Sequence, residues 1–208
     1  MGSHVLRLLL DDPQYERVTV LGRRDLPVAH KKLTRRVVDF DRLSEMGDFP
    51  RVHDVFCCLG TTIKQAGSEA EFRKVDYTYV VELARLALRH RASQFLVVTA
   101  VGADPRSRVL YSRVKGEVEE AVRRLQFDGV HIFRPSLLLG GRSQTRPLEL
   151  LAQIVSPLVS WTMLGRLGRY RSIKAARVAR AMVRVARDAE RGVHVYESNQ
   201  IRRLGARP

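Results

Sequence analysis

The chain is poor in cysteine, in long apolar runs and in metal-ligand pairs, and each shortage closes off a class of protein. Its two cysteines, Cys57 and Cys58, are neighbours at what reads as a strand end. Adjacent strand residues point to opposite sides, so a disulfide scaffold is excluded. There is no charged-apolar-small leader pattern and no uncharged apolar run long enough to cross a bilayer, which predicts a soluble, cytoplasmic protein rather than an integral membrane one. None of the six histidines stands in an HxxxH spacing and no CxxC occurs, so no metal site is expected. Helix-turn-helix, zinc-finger and aromatic-basic RNA motifs are missing as well.

What remains is 208 residues with 45% apolar and 28% charged side chains, the composition of a globular domain with a real core. No internal repeat or low-complexity linker divides it, which predicts one domain over 1–208, with 140–208 as an extension on the substrate side. The formal charge is +15, which invites a nucleic-acid or anionic-surface partner. Only six of the 37 basic residues are lysine, and the arginines are scattered rather than gathered into an arm. Nucleic acid is therefore not expected; peripheral contact with an anionic surface and the oligomeric state stay open.

Short β-branched runs alternate with amphipathic segments. "RVTVLG" (17–22), "RRVVDF" (35–40), "HDVFCCLG" (53–60), "SQFLVVTA" (93–100) and "GVHIFRP" (129–135) read as strands, near-continuously apolar as strands covered on both faces must be. Helical patterns run over 75–91, 110–125 and 174–192, and Ser68 with Glu71 forms a capping-box signal for a short helix. Strand and helix in strict alternation predict an α/β fold, a doubly wound parallel sheet with helices on both faces. From Gly140 the alternation is lost; "RPLELLAQIVSPLVSWTMLGRL" reads as a helix, a Pro157 break and a second segment.

Ligands of such sheets bind at the carboxyl ends of the strands. Arg23 and Arg24 follow the first of these strands, where dinucleotide folds place arginine for the 2′-phosphate of NADP or an acid for the ribose of NAD. A solvated turn is the competing reading. Asp39 and the small-residue loop after Cys58 follow the next two. Beyond Thr99, at the end of the fourth, come Tyr111 and Lys115, four apart on one helical face, where an ammonium can favour a phenolate and make the tyrosine a proton donor or acceptor. By chance about one sequence in six of this composition contains such a spacing. Tyr170 and Lys174 repeat it. Context separates them, since Tyr111 follows a strand ending in a hydroxyl residue and opens an amphipathic helix, whereas Tyr170 follows a Gly-Arg-rich loop.

Four stretches in order, "FCCLGTTIKQAGSEAEFRKVD", "LVVTAVGAD", "YSRVKGEVE" and "FRPSLLLG", resemble the atypical short-chain dehydrogenase/reductase family, in particular the NADPH-binding branch that includes the Tat-interactive proteins and their bacterial relatives. The similarity runs from residue 2 to about residue 205. It implies a Rossmann domain binding NADP(H), with Arg23 and Arg24 near the 2′-phosphate, Asp39 near the adenine, and Leu59, Gly60 and Thr61 along the cofactor. Tyr111 would be the proton donor, Lys115 would hold the nicotinamide ribose, Thr99 would bond a substrate carbonyl, and Pro135 and Ser136 would flank the nicotinamide. The implied activity is reduction of a small carbonyl substrate of unassigned identity by hydride transfer. Ala100 stands where some relatives carry a second serine, which keeps open a cofactor-bound regulatory role without turnover.

The opening "GSHVLRLLL" matches the family's first helix from its glycine, Gly2, onward. The family's apolar first strand and the rest of its glycine-rich, pyrophosphate-holding turn are not in the sequence, so the chain reads as an N-terminally shortened member.

Overall fold

A computed structural model describes residues 1–139 and 172–206. In chain order the elements are α1 (Gly2–Asp11), β1 (Val18–Gly22), β2 (Leu33–Val37), a 3₁₀ segment (Phe40–Glu45), β3 (Asp54–Cys57), α2 (Ile63–Ala66) and α3 (Glu69–Arg73). A π-helical turn (Lys74–Thr78) then leads into α4 (Tyr79–Arg89), followed by β4 (Gln94–Val98), α5 (Leu110–Arg123), β5 (Gly129–Arg134) and β6 (Leu138–Leu139). After the residues outside the description come β7 (Ile173–Lys174), α6 (Ala175–Asp188), β8 (Gly192–Glu197) and α7 (Ser198–Leu204).

The main sheet has the order β3-β4-β5-β8, every pairing parallel. Its side chains alternate faces with period two. Phe56, Leu96 and Phe133 pack with Val5 and Leu9 of α1 and Val178 and Met182 of α6. Val55, Cys57, Phe95, Val97 and Ile132 face the other way, onto Val80 and Ala84 of α4 and Val118 and Val122 of α5. This two-sided burial is why these strands lack polar alternation.

β1 and β2 form a separate parallel pair, hydrogen-bonded to each other and not to the main sheet. Tyr15, just ahead of β1, donates its hydroxyl to Asp54 at the start of β3 (2.8 Å), and Leu21 near the end of β1 packs into the cluster that holds Cys57. The two strands therefore run in the same direction, and among the described residues neither pairs on the side facing the other. Among the described residues no strand precedes α1.

Three local features depart from the sequence reading. The second strand begins at Leu33 and stops at Val37 rather than reaching Phe40, because Phe40 turns inward and is buried in a 3₁₀ segment whose first turn Asp39 caps, its carboxylate accepting the Asp41 N–H at 2.9 Å. The helix expected over 75–91 is an α4 entered through a π turn. The basic helix ends at Asp188, with Ala189 in the left-handed region at φ 49°. Ser68 caps α3 as expected, its hydroxyl accepting the Glu71 N–H at 3.1 Å. The expected helix and Pro157 break, with Tyr170, lie outside the described residues.

A buried polar chain crosses the α1–α6 face. Asp54 accepts from Tyr15 and from Gln94 Nε2 (2.9 Å), the Gln94 carbonyl meets His131 Nε2 at 3.1 Å, and His131 Nδ1 meets the Tyr196 hydroxyl at 3.2 Å. A neutral His131 protonated on Nε2 satisfies every member. Burial, reinforced by the neighbouring His194, pulls its pKa from 6.5 to about 4. The unfolded chain then binds a proton that the folded one refuses, so the associated stability is present above pH 6.5 and is lost as pH falls towards about 4. Urea unfolding at intervals across that window is expected to show this loss in the parent and a shallower one in His131→Gln.

Candidate functional site

The carboxyl ends of β1, β3, β4 and β5 open into one cavity of about 3480 Å³, whose wall includes Gly2, Arg23, Arg24, Leu59, Gly60, Thr99, Tyr111, Pro135 and Ser136. Asp39 lies in an adjoining depression of about 480 Å³ with Arg23 and Lys74. Arg23, Arg24 and Asp39 are exposed, as residues awaiting a soluble ligand's charged and polar groups can be.

Tyr111 opens α5, its ring stacked on Phe72 at 5.7 Å between centroids. Lys115, one turn on, is buried, and its Nζ stands 2.7 Å from Asp76 Oδ1, a carboxylate with no exposed surface. Burial pulls the ammonium down, but the Asp76 charge, with Tyr111 nearby, outweighs it and holds Lys115 above the ordinary lysine value. The lysine is therefore a fixed cation. An ammonium has three donors, and the Asp76 carboxylate engages one of them.

Asp76 also accepts the Thr61 N–H at 2.7 Å through Oδ2, tying the loop after β3 to α5. Gly60 lies against this pair: a Cβ there would stand 3.3 Å from Asp76 Oδ1 and 3.6 Å from Lys115 Nζ. Gly116 has a related task on α5, where a Cβ would overlap the backbone of Asp104 and Pro105. The missing side chain lets that segment, which leads from β4 back to Tyr111, lie directly on the helix.

Asp76 was not among the residues singled out from the sequence. The signal was present, because Phe72, Asp76 and Val80 are spaced by four along one buried stripe, and an acid in an apolar stripe must have a buried partner.

Thr99 is placed differently from the role expected of it. It is buried, and its hydroxyl donates to Glu119 Oε1 (2.7 Å). A hydroxyl has one proton, and in this arrangement Thr99 turns it to Glu119, with the Phe133 carbonyl 3.3 Å away, and not into the cavity that it lines. Glu119 is held in turn by Arg134 through Oε1 (2.9 Å) and Oε2 (2.6 Å), and Arg134 reaches Glu197 at 3.1 Å. This network locks the ends of β4, β5 and β8 together. Thr99→Val is expected to lower the unfolding free energy by about 1–3 kcal/mol, since a hydrogen bond to a buried charge is lost. Denaturant unfolding checks it; unchanged stability would mean the hydroxyl is free for a ligand.

Pro135 and Ser136 follow β5 at the cavity wall. Pro135 fixes the loop after β4 through its carbonyl, which accepts the Val101 N–H at 3.0 Å, and Ser136 accepts the Ser198 hydroxyl at 3.0 Å. Lys174 is exposed at the head of α6. Among the described residues no cluster of histidine, cysteine or acids could hold a metal, and no helix is long and apolar enough to cross a membrane.

A parallel sheet covered on both faces, with a cavity at its carboxyl edge that gathers an arginine pair, a Gly-Thr loop and a tyrosine one turn from a buried lysine, defines a Rossmann-type α/β protein. Over 156 residues the chain is 41% identical to Protein HTATIP2 of Rattus norvegicus, covering 73% of this chain and 64% of that protein. It is 34% identical over 164 residues to Protein fmp52-1, mitochondrial, of Aspergillus terreus, covering 75% of this chain and 70% of that one. The chain belongs to the atypical short-chain dehydrogenase/reductase family. Protein FMP52, mitochondrial, of Coccidioides immitis matches the whole chain at 28% identity and 89% of its own length. No protein-family model matches.

Among solved structures, the Bordetella bronchiseptica enzyme WbmH in complex with NAD+ aligns with a TM-score of 0.66 at 17% identity, over 95% of this chain and 71% of that one. Human epimerase family protein SDR39U1 with NADPH aligns at 0.63 and 15%, over 94% and 70%. At these identities the likeness is one of fold. The mitochondrial names of the fungal relatives overturn the expectation of a cytoplasmic protein. That expectation rested on the lack of an apolar span, which does not determine the compartment.

Proposed function

We propose that the chain binds NADP(H) at the carboxyl edge of the sheet and reduces a small carbonyl compound by hydride transfer. The observation that carries this reading is the triad of Tyr111, Lys115 and Asp76, a half-buried phenol at the cavity wall with a fixed, buried ion pair behind it. In this reading Arg23 and Arg24 take the 2′-phosphate, Asp39 the adenine end, Leu59, Gly60 and Thr61 the length of the dinucleotide, and Gly2 the start of α1. The lack of a side chain at Gly60 keeps the ion pair undisturbed, since a Cβ would press on the Asp76 carboxylate at 3.3 Å. Pro135 and Ser136 shape the nicotinamide end.

The dinucleotide supplies a hydride when bound. The protein's own part is proton transfer and orientation. Tyr111 gives its phenolic proton to the carbonyl oxygen as that oxygen gains negative charge, becoming a phenolate within reach of the Lys115 field. Lys115 keeps donors for ribose hydroxyls, and Asp76 holds it in place.

NADPH is expected to bind more tightly than NADH, because a guanidinium pair can take a phosphate that NADH lacks. Replacing Arg23 and Arg24 by alanine together is expected to weaken NADPH about tenfold or more and leave NADH nearly unchanged. Calorimetric titration with both cofactors at moderate salt measures it, and equal affinities in the parent would sink the assignment.

A second reading, cofactor binding without turnover by a regulatory protein, is favoured by the Thr99 bond to Glu119 followed by Ala100, which leaves no spare hydroxyl at the end of β4. NADPH oxidation with a panel of aldehydes, ketones and quinones supports the enzyme. Tight binding with no oxidation across the panel supports the regulator.

A further inference from the structure

The two ends of the cavity differ in chemistry. Its cations, among them Arg17, Arg23, Arg24, Arg36 and Lys64, come from β1, β2, α2 and the turns beside them. The walls after β4 and β5, to which Tyr111 belongs, are built instead from Ala100, Val101, Val109, Pro135, Leu137 and Leu138. Among the described residues these walls carry no charged side chain. The charges nearest along the chain are turned elsewhere: Arg113 donates to the Ser107 carbonyl at 3.0 Å, Arg134 is held by Glu119 and Glu197, and neither Arg106 nor Arg108 lines the cavity.

The polar groups of these walls are engaged within the protein. The Thr99 hydroxyl donates to Glu119 at 2.7 Å, and Ser136 accepts from the Ser198 hydroxyl at 3.0 Å. The Ala100 and Leu137 carbonyls accept the Ala103 and Ile173 N–H groups at 3.1 and 2.9 Å, and Pro135 has no N–H to give. Tyr111 is thus a polar group set in apolar surroundings. Val109, two residues ahead of it, is a large apolar side chain left 38% exposed, and Val101, Leu137 and Leu138 are only half-buried. Apolar surface of this kind gains by being covered.

We propose that the substrate is an uncharged aldehyde or ketone whose carbonyl is its one polar group, with an aliphatic or aromatic body that lies on the walls after β4 and β5. Keto acids and sugar aldehydes are poor substrates. The proposal rests on the carbonyl-reductase reading for its chemistry: the carbonyl carbon takes a hydride from the dinucleotide and the oxygen takes the Tyr111 proton, which water restores, so that an alcohol and the oxidised dinucleotide leave. The selectivity comes from the walls alone. Methylene groups cover apolar surface and release its water, whereas a carboxylate would lie there without a counter-charge and a hydroxyl without a partner.

The test uses two series of probes. Linear aldehydes from propanal to octanal are assayed for turnover with NADPH, and the matching primary amides, propanamide to octanamide, are titrated by calorimetry with NADPH present and without it. An amide offers the same carbonyl and is not reduced, so it reports the walls whether or not the protein turns over. Each added methylene is expected to raise kcat/KM and amide affinity about three- to fourfold, the effect of burying one CH₂ group. Succinic semialdehyde and succinamate are expected to fall about a hundredfold or more below pentanal and pentanamide. Val109→Asp is expected to weaken octanamide about tenfold and leave NADPH affinity and the fold intact, because residue 109 is the N-cap of α5, where aspartate is favoured; Val109→Ile should keep the parent's affinity. Amide affinity that climbs with length while no aldehyde is reduced would keep the apolar site and remove hydride transfer. The same climb without any NADPH binding would remove the dinucleotide reading. The proposal is overturned, whatever NADPH does, if no amide binds, if affinity does not rise with length, if succinamate binds as well as pentanamide, or if Val109→Asp leaves octanamide affinity unchanged.

Discussion

Tyr111→Phe is expected to lower the turnover of any carbonyl substrate by about 10²–10⁴-fold, the range that a positioned proton donor supplies. The substitution keeps the ring that stacks on Phe72, so the fold and NADPH affinity should be nearly unchanged. The loss falls on kcat, because the hydroxyl acts on the oxygen as charge develops there. Lys115→Ala is expected to lower affinity and turnover together, whereas Lys174→Ala, at an exposed position on another helix, should be nearly silent. Steady-state kinetics on the three variants separates the two tyrosine-lysine spacings; a silent Lys115→Ala would show that the wrong one was chosen.

The second large effect is on stability. Asp76→Ala leaves the Lys115 ammonium buried without its counter-charge and the Thr61 N–H without its acceptor, and is expected to destabilise the protein by about 3–5 kcal/mol, as removal of one partner of a buried pair does. Against a typical stability of roughly 5–15 kcal/mol, that is a large fraction of the whole. Asp76→Leu combined with Lys115→Met should recover most of the loss, because both charges go together. Urea unfolding of the parent, the single and the double variant checks both statements. A double variant as weak as the single one would mean that packing around Asp76, and not its charge, holds the site.

What could be read ahead of the structure was local or periodic. Continuous apolar runs placed β3, β4 and β5 within three residues of their bounds, and the spacing of apolar residues found α5 and with it Tyr111 and Lys115. Ser68 announced the start of α3 through a contact three residues long. What could not be read depends on partners far apart in the chain. Thr99 and Glu119 meet across β4 and α5, so the hydroxyl that looked free for a substrate is taken. Asp76 sits inside a helical pattern, and its role is visible only once Lys115, 39 positions later, is seen beside it. The end of β2 was misplaced for a similar reason: Val38 and Phe40 are apolar enough to continue a strand, but Phe40 belongs to a core made by α4.

The π turn at Lys74–Thr78 has a consequence for how this segment tolerates change. A π turn holds one residue more than the α-helix around it, and frequently marks a site of function. Deleting a single residue there would let α3 and α4 merge into a regular helix with every backbone bond intact, a change that helix propensity alone would welcome. Because five residues of a π turn sweep nearly the same angle as four of an α-helix, the flanks would keep their faces, with Phe72 still against the Tyr111 ring and Ser68 still capping. The change would fall on the turn itself, which holds Asp76. A frame-preserving loss of one codon, which in a regular helix rotates everything beyond it by about 100°, should therefore be absorbed here by the flanks and be felt at the Lys115–Asp76 pair.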